Sequence, residues 1–135
     1  MLPKIDFTKT AAYRYLADHY ISINAHSLKD LFDEDSFRFE KYSIEFNDLL
    51  LDYSKNRVND ETLALLRQLA QECQLSEAIA AMFDGEKINE TEGRQVLHTA
   101  LRNQSGKSIL VDGQDIMEDI NAVLGQMESF TQRIL

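Results

Sequence analysis

Apolar residues recur at helical spacing along much of the chain. Tyr13, Leu16, Ala17, Tyr20 and Ile21 fall at i, i+3, i+4, i+7 and i+8, one face of a helix that Thr8 or Thr10 can cap. A short helix follows Ser27, which stands three residues before Asp30 in capping-box spacing, with Leu28, Leu31 and Phe32 as its apolar residues. The period then changes to two. Tyr42, Ile44 and Phe46 alternate with Ser43 and Glu45, Asn47-Asp48 supplies a turn, and Leu49 to Tyr53 is a second apolar run. Residues 41–53 therefore read as a β-hairpin. A lone hairpin is marginal in water, so it is expected to lie on a helix or join a sheet formed elsewhere.

Asn59 begins the next helix, with Asp60 and Glu61 in its first turn and Leu63, Leu66, Leu69, Ala70 and Cys73 as a broad apolar stripe. A shorter helix from Ser76 runs through Ala78, Ile79, Met82 and Phe83 to a stop at Gly85. Val96, Leu97, Ala100 and Leu101 predict a further helix from about Thr91 to Arg102, followed by the polar loop Asn103-Gln104-Ser105-Gly106. Residues 108–111 read as extended, closed by the turn dipeptide Asp112-Gly113. In the last segment Ile116, Ile120, Val123, Met127, Phe130 and Ile134 are spaced 4, 3, 4, 3, 4, widened by Met117, Leu124 and Thr131. A helix with that stripe is expected to bury one face. The fold class predicted is mainly α with a small β-hairpin (α+β).

Length and composition narrow the classes of function. The chain has 135 residues, 14 Lys and Arg against 23 Asp and Glu, and a net charge of −9. That length suits one domain or one piece of a larger protein. The acidic balance argues against nucleic acid and against docking on an anionic membrane. The single Cys73 excludes an internal disulfide framework and a Cys-rich zinc site, and fits a reducing compartment. Residues 1–7 carry no apolar run of signal-peptide length. A cytoplasmic, soluble protein is expected.

The short motifs fail on spacing. Gly106-Lys107-Ser108 lacks the glycine a P-loop needs at position 101, which is Leu. Asp33-Glu34-Asp35 would place Arg38 and Ile44 where a calcium loop needs Gly and Glu. His19, His26 and His98 form no i, i+4 pair, and no Cys stands beside one. His19 reads as a surface or boundary residue, His26 as a loop residue, and His98 as the edge of an apolar face. Cys73 has no basic neighbour within four residues and reads as a small buried hydrophobe. Residues 85–94, Gly-Glu-Lys-Ile-Asn-Glu-Thr-Glu-Gly-Arg, pack three acids, two bases and two glycines together. They suit equally a capped helix start with local ion pairs or a fixed polar loop at a boundary.

That same stretch, with Val96-Leu97-His98, Ala100-Leu101-Arg102-Asn103, Ile109-Leu110-Val111-Asp112-Gly113, Asp115-Ile116-Met117 and Asn121-Ala122-Val123-Leu124, closely resembles the N-terminal part of the glucose-6-phosphate isomerase (phosphoglucose isomerase) family. Asp52-Tyr53-Ser54-Lys55-Asn56, Leu31-Phe32 and Arg38-Phe39 extend the resemblance upstream, to about Ala11. The departures are modest: Gln104 to Ser108 replaces a loop that in relatives carries a basic residue and a Pro, and Gln95 stands where relatives often have Ala.

The resemblance implies a larger α/β enzyme of which residues 1–135 are the N-terminal helical part, with the sugar-isomerase domains following Leu135. The family interconverts glucose 6-phosphate and fructose 6-phosphate without a metal or organic cofactor. A carboxylate moves a proton between C2 and C1 through a cis-enediolate. The family's catalytic Glu, ring-opening His and phosphate loop all lie beyond Leu135, so no catalytic, cofactor-binding or metal-binding residue is carried onto this sequence, and Arg94 and His98 are not assigned to catalysis. The parent protein is expected to be a homodimer acting on a sugar phosphate. The 135-residue chain alone is expected to be inactive and to self-associate through residues 116–134. The competing reading is a freestanding helical interaction module.

Overall fold

A computed structural model describes residues 4–135, and they divide into two compact units, Ile5–Cys73 and Lys4 with Gln74–Leu135. Met1 to Pro3, and with them part of the N-terminal stretch read as lacking a signal peptide, lie outside the described residues. The chain is mainly α with small β parts.

In the first unit a 3-10 turn at Phe7–Lys9 leads into α1, Ala11–Ile23, whose first turn is capped by Thr10: its hydroxyl accepts from Tyr13 N at 3.2 Å. α2, Leu28–Glu34, starts with the capping box expected from Ser27 and Asp30, each side chain accepting from the other's backbone N–H. α3, Arg38–Lys41, is a single turn. β1, Ser43–Phe46, pairs antiparallel with β2, Leu49–Asp52, around Asn47, which takes the positive φ of 54° that a tight hairpin turn requires. α4, Asp60–Glu72, is capped by Asn59, and Thr62 closes its capping box. The core of this unit is Ala12, Ile23, Leu31 and Tyr42 together with the polar residues His19, Arg38, Ser54 and Thr62.

The second unit holds α5, Leu75–Phe83, a loop through residues 84–99, a 3-10 turn at Ala100–Arg102, the short hairpin β3, Leu110–Val111, with β4, Gln114–Asp115, and α6, Met117–Ile134. Its core is Ala100, Ile109 and Met117, with Leu97, Ile116 and Ile120 packed against them. Asp112 and Gly113 both take positive φ in the β3–β4 turn, as the dipeptide predicts.

Several expectations are corrected. α1 turns a different face inward: Ala12, His19 and Ile23 are buried, while Tyr13, Tyr20 and Ile21 are exposed. Small Ala12 permits close approach where the bulkier aromatic stripe does not. Tyr42 leaves the strand and ends α3 instead. The β1–β2 hairpin has no cover, since residues 44–51 are all exposed. α5 begins at Leu75, one residue before Ser76.

The helix predicted from Thr91 to Arg102 does not form. Asn89 and Arg94 instead exchange both backbone hydrogen bonds, at 3.1 and 3.2 Å, around Gly93 in positive φ. That turn uses the backbone groups a helix would need, and packing retains only one 3-10 turn, with Ala100 buried against Ile109 and Met117.

Finally, α6 does not bury its stripe along its length. Met117 is buried, Ile116 and Ile120 are half-buried, and residues 121–135 are all exposed.

Candidate functional site

Polar side chains of the first unit converge on the segment after β2. Arg38 is 2% exposed. Its Nε donates to Ser54 O at 2.8 Å, and its Nη2 to Asn56 O at 2.7 Å and Val58 O at 2.9 Å. The guanidinium carbon lies 4.7 Å from the centre of the Tyr42 ring and 5.5 Å from that of Phe32. A planar fork with several donors can hold three carbonyls at once, which a lysine ammonium cannot do with the same geometry. Asp52 completes the clamp: its Oδ1 accepts from Ser54 Oγ at 2.6 Å and from Ser54 N at 2.9 Å. The Ser54 hydroxyl leads the interactions that hold the Asp52 carboxyl below the usual range. Tyr42 Oη donates to Asp60 Oδ1 at 2.9 Å, and burial first, then that bond, raises the phenol above its ordinary value.

His19, expected at the surface, is 7% exposed. Its Nε2 lies 2.7 Å from Thr62 Oγ1 and its Nδ1 3.3 Å from Glu61 Oε2, so it ties α1 to the start of α4. Thr62 is already occupied by the Asn59 cap at 2.9 Å. At the other end of the pair, Glu72 Oε2 accepts from Ala12 N at 3.1 Å, and that backbone bond leads the downward shift of the Glu72 carboxyl. These groups satisfy helix ends left open by geometry. Among the described residues no buried side-chain N or O lacks a partner. The arrangement fixes a backbone rather than presenting a reacting group.

The second unit has a cavity of about 820 Å³ beside the end of α5, with Phe83, Ile109 and Leu110 as apolar wall and Asp84, Arg102 and Lys107 as charged rim. Its polar groups hold the surrounding loop. Asn103 Nδ2 donates to Lys107 O at 2.9 Å, Ser105 Oγ donates to Asn103 Oδ1 at 2.6 Å, and Arg102 Nη1 donates to His98 O at 3.1 Å. Gly106 and Lys107 thus belong to an ordinary loop, with Gly106 in positive φ.

The stretch from Gly85 to Arg94 is a fixed polar loop, not a helix start. Asn89 Oδ1 accepts from Glu92 N, and Arg94 Nη2 lies 2.8 Å from Glu92 Oε2. Lys4 reaches Glu90 at 2.9 Å and Lys87 reaches Asp112 at 2.8 Å. Gly85 is buried at φ 75°, where an added Cβ would stand 3.0 Å from Ile109 Cγ2.

The residues weighed for chemistry are not brought together. Arg94 and His98 are exposed, and neither lines the cavity. Asp33 and Glu34 are exposed, and Asp35 pairs with Lys41 at 2.9 Å. His26 is half-buried, its Nδ1 3.2 Å from Ser22 O, and Cys73 is a half-buried free thiol at the end of α4. Among the described residues no group of His, Cys, Asp and Glu could hold a metal ion, and no helix is long and apolar enough to cross a membrane. Arg38 is the residue that sequence reasoning passed over except as part of the resemblance. The aromatic neighbours Phe32 and Tyr42 were the available signal.

The comparison with known families bears on both the clamped segment and the second unit. The phosphoglucose isomerase family model matches residues 52–135, beginning at the Asp52 that anchors Ser54 and running to the end of α6. Leu31-Phe32 and Arg38-Phe39 lie outside the matched span. A match over more than half of the sequence, on the segments that carry the resemblance, establishes that the chain belongs to the phosphoglucose isomerase family.

Proposed function

We propose that the chain is the N-terminal, non-catalytic part of an isomerase that interconverts D-glucose 6-phosphate and D-fructose 6-phosphate in the cytoplasm. The observation that carries this reading is the family match over residues 52–135. In the complete enzyme, ring opening precedes transfer of a proton between C2 and C1 by a carboxylate, with positive groups stabilising the enediolate. The base, the ring-opening acid and the phosphate loop belong to sugar-isomerase domains that would follow residue 135, and the assembled enzyme would be a homodimer. The part described here is scaffold: the Arg38 clamp and the Gly85 packing hold loops in fixed shape.

Two measurements test this. The coding sequence downstream of Leu135 is expected to continue in frame into sugar-isomerase domains, and the longer protein is expected to isomerise glucose 6-phosphate in a coupled assay. The 135-residue chain, freed of full-length enzyme, is expected to show no turnover above background. Turnover that stays with the purified chain would overturn the placement of the catalytic groups, and an inactive longer protein would overturn the isomerase reading.

A further inference from the structure

The buried imidazole of His19, between α1 and α4, stands in a row of polar groups whose protons can be counted. Thr62 Oγ1 lies 2.9 Å from Asn59 Oδ1 and 2.7 Å from His19 Nε2, and His19 Nδ1 lies 3.3 Å from Glu61 Oε2. Asn59 Oδ1 can only accept, and it also accepts from Thr62 N at 2.9 Å. An ionised carboxylate likewise only accepts, whereas the Thr62 hydroxyl has one proton to give and a neutral imidazole has one. Three contacts therefore share two protons while the ring is neutral. With the ring proton on Nε2, the Nδ1 lone pair faces the Glu61 carboxylate. With the proton on Nδ1, the Thr62 proton must turn to Nε2, and the oxygens of Thr62 and Asn59 face each other unbonded.

We propose that His19 carries a proton on both ring nitrogens in the folded chain, as an imidazolium that donates to Thr62 Oγ1 and to Glu61 Oε2. The row then closes. Thr62 Oγ1 accepts from Nε2 and from Asn59 N at 3.1 Å, and gives its own proton to Asn59 Oδ1.

The neighbouring charges suit a cation here. The start of α4 offers the ring a helix dipole worth roughly half a positive charge, but that same turn carries the full charges of Asp60 and Glu61. Asp60 is engaged by Tyr42 Oη and Lys41, which leaves Glu61 to the ring. From α1, Ser22 Oγ donates to His19 O at 2.8 Å and brings no charge. Arg57, ahead of α4, is turned to Asn24 Oδ1 at 2.7 Å. Burial opposes charge on the ring, yet the Glu61 side chain is 67% exposed, so the pair meets water on one side. The tie between α1 and α4 is thus complete only when the ring is charged. An unfolded imidazole releases its proton above about pH 6.5, so the unfolded state then binds fewer protons than the folded one, and this contribution to stability falls as pH rises. The inference concerns a contact inside the first unit and does not rest on the isomerase reading.

Nitrogen-15 NMR of the purified, histidine-labelled chain reads the ring protons directly. At about pH 7 the His19 ring, assigned by its nuclear Overhauser contacts with Thr62, is expected to show two protonated nitrogens. In Glu61→Gln the amide can donate where the carboxylate could not, so it supplies the missing proton. That ring is expected to be neutral, with its proton on Nε2. The side chain at position 61 is exposed, and far-ultraviolet circular dichroism checks the fold. Urea titrations between about pH 6.5 and 8.5 give a second readout. The folding equilibrium constant of the parent chain is expected to fall, relative to Glu61→Gln, by up to about tenfold per pH unit, the effect of one proton. A neutral His19 ring in the parent chain at about pH 7, or a Glu61→Gln variant that keeps the parent's pH slope, would overturn the proposal.

Discussion

Arg38 Nε donates to the carbonyl of Ser54 at 2.8 Å, a bond that joins a single-turn helix to the backbone just after the hairpin. With the further bonds to Asn56 and Val58 it converts an irregular segment into a fixed one. Segments without regular structure need side-chain partners for their carbonyls once they are buried. Here one guanidinium serves three.

Arg38→Ala is expected to destabilise the first unit by about 3 kcal/mol, because it leaves the buried Ser54 carbonyl and the part-buried carbonyls of Asn56 and Val58 without this donor and opens space between Phe32 and Tyr42. Arg38→Lys keeps the charge but loses the fork, and is expected to cost about 2 kcal/mol. Urea titration followed by tyrosine fluorescence measures both. A lysine variant as stable as the parent would remove the clamp from the account.

Gly85→Ala tests the second unit. The substitution places a Cβ 3.0 Å from Ile109 Cγ2 and 3.4 Å from Leu110 O, at a φ of 75° that side chains rarely adopt. A loss of about 1–3 kcal/mol is expected, from backbone strain and overpacking together. Gly106→Ala shares the positive φ but meets nothing within 4 Å, so it is expected to cost less. Equal losses in the two variants would show that strain alone matters and that the contact with Ile109 does not.

Acid should weaken the fold for a stated reason. Bonds from Ser27 lower the Asp30 carboxyl, the Lys41 ammonium lowers Asp35, the Ser54 hydroxyl lowers Asp52, the Ala12 backbone N–H lowers Glu72, and the Ser108 hydroxyl lowers Asp115. Each group is more acidic folded than unfolded, so the unfolded state binds protons first as pH falls. Their stabilisation is complete above the ordinary values of 3.8 and 4.5 and is lost as pH drops below them. The urea midpoint is expected to fall steadily below about pH 4. Glu72→Gln, whose amide oxygen can still accept from Ala12 N, should flatten part of that slope. A midpoint independent of pH over that range would contradict the assigned bonds.

The elements legible in the sequence are those whose signals are local. The Ser27–Asp30 box, the Asn59 cap and the alternation over residues 43–46 act within a few residues, and all lead to the element expected, although Tyr42, the first residue of that alternation, ends α3 instead. The predicted helix over residues 91–102 fails for the complementary reason. Val96, Leu97, Ala100 and Leu101 do have helical spacing, but the Asn89–Arg94 turn and the burial of Ala100 against Ile109 and Met117 are not encoded in that spacing. The buried positions of His19 and Arg38 are likewise invisible to a local pattern, since a polar residue reads as surface until its partners are known.

By itself the sequence determined the helical class, the hairpin, most helix starts and the family, because periodicity, caps and ordered motif matches are properties of neighbouring residues. Tertiary structure alone decided which face of α1 turns inward, that Arg38 closes three carbonyls, that Gly85 has no room for a side chain, and that the stripe of α6 stays exposed beyond Ile120. Those outcomes depend on contacts between residues far apart in the chain, and a contact of that kind exists only once both segments have a place to be.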